Sequence, residues 1–316
     1  MVSLLFCTAG VSVMAQRAKV NSADESLKKQ DLEKAKADID AALQNDKTKD
    51  DAKTWLVDGK ILEAMGTKQK NPALALEAFA AFQKALTIDP KMKEAVLEMN
   101  QPLFNVYATI ANAGYANLNE QKWDSSLINF KKAFEVAEFY NSKNLGGSIP
   151  TDTALTFYVG YAANQAGKKD DAFNYLKKAA ELQFKGEPAL YVILGQLYEE
   201  KGDQENWLKT IEQAKALFPK DPSFNAMEMA YYSKTGKTSE LLTMLEKKIA
   251  ENPNDEAAVL DYAIRVDNLA NPRDEKGNDA PKPANYDELI GKAEAGYKKA
   301  IEMNPTDATA NFQLGA

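Results

Sequence analysis

The chain of 316 residues is expected to be all-α, a solenoid of antiparallel helix pairs, and three features predict this. The first is the stretch Tyr191–Pro219. Tyr191, Leu194, Gly195 and Tyr198 fall on one stripe of a helix that turns every ~3.6 residues. Gly202 supplies a left-handed turn position just past that helix. Asp203 caps a second helix that carries Trp207, Ile211 and Ala214 inward and stops near Pro219. The second feature is recurrence: Pro219 and Pro253 lie 34 residues apart, and Pro305 follows after that period plus an 18-residue insertion. The third is alternation of large and small residues. Second-helix faces read Ala78, Phe82, Ala85; Ser126, Phe130, Ala133; Ala172, Leu176, Ala179; and Ala293, Tyr297, Ala300. Helices approach closely only where a small residue meets a large one, so Gly59, Gly114, Gly160 and Gly195 are the matching first-helix positions.

This pattern of a large residue, Leu-Gly, Tyr, then Ala and Phe and a closing Pro resembles the tetratricopeptide repeat. Tyr191, Leu194, Gly195, Tyr198, Ala214 and Pro219 carry it, as do Trp55, Gly59, Ala78, Phe82, Ala85 and Pro90. The resemblance implies a tetratricopeptide-repeat superhelix. About six copies are expected, with first helices starting near Ala52, Tyr107, Thr153, Pro188, Pro222 and Glu256. In the fifth, Met229 stands where Gly is usual and Lys248 where Ala is usual, so a splayed pair is expected.

Taken in order, residues 1–16 (MVSLLFCTAGVSVMAQ) are apolar with small residues near the end, too short for a membrane span, and read as a signal peptide cleaved near Gln16. No Lys or Arg precedes the apolar run, so the true start is expected upstream of Met1. Residues 17–51 are expected to form an N-terminal capping helix or half-repeat, with 45–53 a solvated connection. The repeat solenoid is assigned to 52–305, with insertions near 66–71, 141–152 and 269–285. The first insertion is expected to widen a turn. Pro102 predicts a helix break near Gln101, with a short extra helix before it. The second insertion, with Gly146, Gly147 and Pro150, is a loop that lacks the Lys-Ser/Thr of a phosphate cradle. The third is Pro-rich and charged and is expected to project as a mobile loop; Asp274, Glu275 and Asp279 do not match the spacing of a calcium loop. Residues 306–316 read as the start of a further, truncated repeat, which predicts that the natural chain continues.

Composition bounds the chemistry. The chain has no His and a single Cys, Cys7, inside the apolar N-terminal run. Imidazole triads, cysteine nucleophiles in the mature chain and His/Cys zinc sites are excluded. No catalytic constellation, cofactor or metal site is expected. The formal charge of −7 disfavours nucleic acid and anionic membrane as partners. The paired lysines at 131–132, 177–178 and 298–299 precede inner-face alanines and are expected to give each second helix a soluble back.

The resemblance implies that first helices line a concave surface holding an extended or helical peptide. Its positions would be Ala108, Ala111 and Tyr115, then Ala154, Phe157 and Tyr161, then Ala189, Val192 and Gln196. The Lys and Asn clamp of chaperone-binding members is missing there. Tyr115, Phe157, Tyr161, Val192 and Gln196 are therefore the candidate partner-binding residues, with Phe157 and Tyr161 alternatively packing between repeats. The expected function is a non-catalytic scaffold or adaptor of the bacterial envelope, periplasmic or at the outer membrane of a Gram-negative cell. The alternative is a glycan- or nutrient-binding protein that stacks sugars on the same aromatics.

Overall fold

The computed structural model describes residues 6–92, 98–143, 149, 153–274 and 276–315, with side chains from Arg17 onward. These residues divide into two compact units, Met1–Leu197 and Tyr198–Ala316. Unit 1 holds α1 (Phe6–Lys28), α2 (Leu32–Leu43), α3 (Ala52–Gln69), α4 (Pro72–Ile88), α5 (Asn100–Asn119), α6 (Trp123–Ser142), α7 (Thr153–Gln165) and α8 (Lys169–Glu181). The unit boundary falls inside α9 (Ala189–Glu200). Unit 2 continues with α10 (Gln204–Leu217), α11 (Ser223–Lys234), α12 (Thr238–Glu251), α13 (Glu256–Ala270), α14 (Tyr286–Met303) and α15 (Ala308–Gly315). The only bridge pairing among the described residues joins Arg273 and Asp279, so the fold is all-α. No helix among them is long and apolar enough to cross a membrane. Residues 1–5, part of the expected signal peptide, lie outside the described residues, and α1 runs through 6–28 as one helix.

The expected inner faces are the core. Ala78, Phe82, Ala85, Phe130, Ala133, Leu176 and Ala179 are fully buried, and Trp207, Ile211 and Ala214 are buried on α10. The reason for glycine on the facing helix is geometric. A Cβ on Gly114 would lie 2.7 Å from the Phe130 ring, and one on Gly59 would lie 2.6 Å from the Phe82 ring. In the α13–α14 pair the exchange is reversed, since Gly296 of α14 lies against Ala263 of α13.

Turns between paired helices share one device, a residue at positive φ just past the first helix. Gly167, Gly202 and Gly236 occupy it at φ of 72°, 71° and 70°. Gln30, Lys70 and Gln121 occupy the same place at 61°, 51° and 57° without glycine's freedom. The turn at Gln30 thus carries no glycine signal, and within the expected half-repeat at 17–51 the C-terminal part of α1 packs on α2 as a helix pair. Asp38 of α2 ties them, accepting from Lys19 at 2.5 Å and Ser22 at 2.7 Å. The connection after α2 is also organised, because the Thr48 hydroxyl donates to the Ala42 carbonyl at 2.6 Å and the Trp55 indole donates to the Lys49 carbonyl at 2.6 Å.

Three further expectations change. The insertion near 66–71 does not widen the turn: α3 continues to Gln69, the Asn71 amide donates back to the Gly66 carbonyl at 2.8 Å, and the Asn71 side chain caps α4. The extra residues lengthen the helix pair instead. The second first-helix starts at Asn100 rather than near Tyr107, because Pro102 sits in the first turn of α5, where no intrahelical donor is needed. The short helix expected before it falls on 93–97, outside the described residues. Most of the 141–152 loop is also outside them, but Ile149 is buried and exchanges two hydrogen bonds with the Asn141 side chain.

In unit 2, α11 buries Phe224 and Tyr231 and α12 buries Leu241 and Leu245, a thin core in the pair where the small residues are missing. The insertion at 269–285, expected to be mobile, folds into a hydrogen-bonded turn. The Asp274 amide donates to the Asn278 carbonyl and the Ala280 amide to the Pro272 carbonyl, both at 2.8 Å, around Gly277 at φ 81°. The Asn278 side-chain amide and the backbone amides of Asn278 and Lys276 donate to Asp274, which also holds its carboxyl below the usual range. Local backbone satisfaction, rather than apolar burial, orders this segment.

Candidate functional site

The candidate face is built by the first helices of unit 1. On α3, Glu63 is 8% exposed and accepts from Thr67 at 3.0 Å and from Asn105 of α5 at 2.9 Å. Burial raises its pKa, and these two hydrogen bonds oppose the rise. Beside it, Lys60 pairs with Glu98 at 2.6 Å. This end of the face is polar and internally satisfied.

The next helix is apolar. Phe104, Ala108, Ala111 and Tyr115 are spaced by four, three and four residues along α5 and so share one stripe. Phe104 is 44% exposed, and its ring lies 6.2 Å from that of Tyr107. Sequence reasoning missed Phe104 because it started this helix at Tyr107. The stripe's own period, extended four residues toward the N-terminus, would have found it.

Tyr115, at the other end, is half-buried, with its ring edge-on to Phe130 and to Tyr158, each at 4.9 Å. Its aromatic surface joins α5, α6 and α7 together. Phe157 is a correction: it is 2% exposed and stacks on Phe184 at 5.2 Å and 25°. The turn after α8 closes over it, so it offers no surface to a partner and packs between helices. Helical spacing fixes the direction of a side chain but not what lies above it.

Tyr161 is half-buried against Phe157 at 5.7 Å, Val192 is half-buried, and Gln196 is exposed. The part of the expected site that keeps exposed surface is thus Tyr115, Tyr161, Val192 and Gln196, joined by Phe104. With the rings of Tyr115 and Phe157 engaged by neighbouring aromatics, a sugar-stacking platform loses two of its expected members.

The opposite side of unit 1 is cross-linked rather than merely soluble. Lys131 of α6 pairs with Asp171 of α8 at 2.7 Å, and Lys178 of α8 lies 4.8 Å over the Phe134 ring of α6. The paired lysines therefore join successive second helices.

Residues 188–221 match the sequence profile of the tetratricopeptide repeat. The chain thus carries a tetratricopeptide repeat at 188–221, and the same turn and small-against-large packing recur in other helix pairs of an all-α repeat architecture. No curated protein sequence matches it. Solved structures similar to it include MamA, at 17% identity and a TM-score of 0.45, over 64% of this chain and 93% of that one. YrrB, described as a TPR protein with an unusual peptide-binding site, is similar at 16% identity and 0.43, over 75% and 98%. Pseudomonas aeruginosa PilF is similar at 13% identity and 0.36, over 76% and 93%.

Proposed function

We propose that the protein is a non-catalytic interaction scaffold that receives a peptide or partner helix along the first-helix face of α5, α7 and α9. The observation that carries this reading is the α5 stripe, where an exposed Phe104 stands one turn from the small, half-buried Ala108. Small residues let a partner backbone approach closely, and an accessible aromatic supplies most of the anchoring surface. On the next helix Ala154 and Tyr161 repeat the arrangement, and Val192 and Gln196 extend it. The apolar run at residues 1–16 supports export and a role in a bacterial envelope.

Site-specific photocrosslinking tests it. A crosslinker at Tyr161 or Gln196 is expected to capture the same protein, whereas one at Ile128, 59% exposed on α6, does not. Tyr161→Ala is expected to weaken binding of that purified partner by roughly 1–3 kcal/mol with melting nearly unchanged. Equal labelling from Ile128, or a large melting shift with unaltered affinity, overturns the reading.

A further inference from the structure

Unit 2 contains a cavity of about 630 Å³ that the repeat pattern does not account for. Its walls come from the end of α13, the ordered insertion, α14 and α15. A volume of this size suits a small molecule. The insertion side presents Arg273, Lys282 and Asp279, and the helix side presents Asp267 and Tyr297.

Lys292 and Lys298 of α14 are each paired one turn away, with Glu288 at 2.6 Å and Glu294 at 3.3 Å. Arg273 and Lys282 have no carboxylate within ion-pair distance among the described residues. Lys282 is held instead 3.7 Å over the Tyr286 ring, and Arg273 is fixed by the backbone bridge to Asp279.

On the helix side the Asp267 carboxylate is pre-oriented. It accepts from the Tyr297 hydroxyl at 2.9 Å and from the Asn271 amide at 2.8 Å, which leaves acceptor capacity on its two oxygens. Tyr297 is 2% exposed, so this anchor is rigid.

We propose that this cavity binds a small zwitterion, a free amino acid or a short peptide. Arg273 and Lys282 receive its carboxylate, and Asp267 and Asp279 accept from its ammonium group. A guanidinium donates two parallel hydrogen bonds to a carboxylate, and a fixed carboxylate matches an ammonium, so a ligand with both charges satisfies the cations and the carboxylates of the cavity at once. A purely anionic ligand would leave Asp267 and Asp279 facing it.

The test is calorimetric titration of the full chain with each free L-amino acid and with diglycine and dialanine. Each binder is then compared with its C-terminal amide and its N-acetyl form. At least one free zwitterion is expected to bind, with affinity falling about tenfold or more on amidation, on acetylation, and in Arg273→Gln and Lys282→Gln. Both substituted side chains are exposed, and an unchanged circular dichroism melt confirms that the variants are folded. Absence of binding by every probe overturns the proposal. So does a binder whose amide and acetyl forms bind equally well, or one indifferent to both substitutions.

Discussion

Asp58 is the residue most at odds with its place. It precedes Gly59 on α3 at the position that Leu194 fills in the repeat at 188–221. It is 4% exposed, and its Oδ1 has no hydrogen-bond partner among the described residues. Burial pushes its pKa from 3.8 up to about 6; Lys36 of α2 opposes this, and Asp40 of α2 and Glu77 of α4 add to it. The folded state therefore holds a proton that the unfolded chain has released between these values, so stability falls as pH rises from about 4 to about 6. Above that window the penalty is about 3 kcal/mol. Asp58→Asn is expected to raise stability toward urea at pH 7.5 by up to that amount and to do little at pH 3.5. Equal gains at both pH values would disprove the assignment. Gln121, at φ 57°, raises the same kind of question for the backbone. Gln121→Gly should relieve a left-handed strain of about 1 kcal/mol and raise the melting temperature, in contrast to glycine substitution elsewhere in a helix. Neither position announces its context in sequence, since a lone Asp on a helix or Gln in a turn reads as a surface residue.

At the scale of the helix pair, the governing contact is glycine against an aromatic. Phe130 is fully buried and is fixed by the Tyr115 and Tyr158 rings, so it cannot retreat from a Cβ placed 2.7 Å away on Gly114. Gly114→Ala is expected to destabilise by roughly 1–3 kcal/mol through overpacking, despite alanine's better helix propensity. Adding Phe130→Leu should recover part of the loss, and a thermal-melt double-mutant cycle measures the coupling. Additive effects would mean that the two residues do not meet. The pairing of Gly59, Gly114 and Gly160 with second-helix partners was legible in the sequence, because period and residue size carry it directly. The lengths of the pairs were not. Residues 66–69 and 100–106 join helices because the local hydrogen bonding of Asn71 and the tolerance of a first turn for Pro102 decide helix ends.

Across the whole molecule, stability is expected to be uneven. The α3–α4 and α5–α6 pairs carry long buried faces, whereas α11 and α12 rest on four buried side chains, Phe224, Tyr231, Leu241 and Leu245. Amide hydrogen exchange should therefore be fastest among the paired helices in 223–251 and slowest in α3–α6, since local opening follows buried apolar contact. Uniform protection would contradict this. Of the candidate face, the resemblance to the repeat family named Tyr161, Val192 and Gln196, which keep exposed surface, whereas Phe157 is closed over by Phe184, which comes from a different turn of the chain. Sequence by itself determined the all-α class, the repeat period and the buried second-helix faces, because each is a property of neighbours along the chain. Tertiary structure alone decided which aromatics stay open, that the segment 17–51 closes on itself as a helix pair, and that the 269–285 insertion closes beside α13 and α14 into a cavity. Those outcomes depend on contacts between residues far apart in sequence, and no local spacing encodes what will lie on top of a side chain.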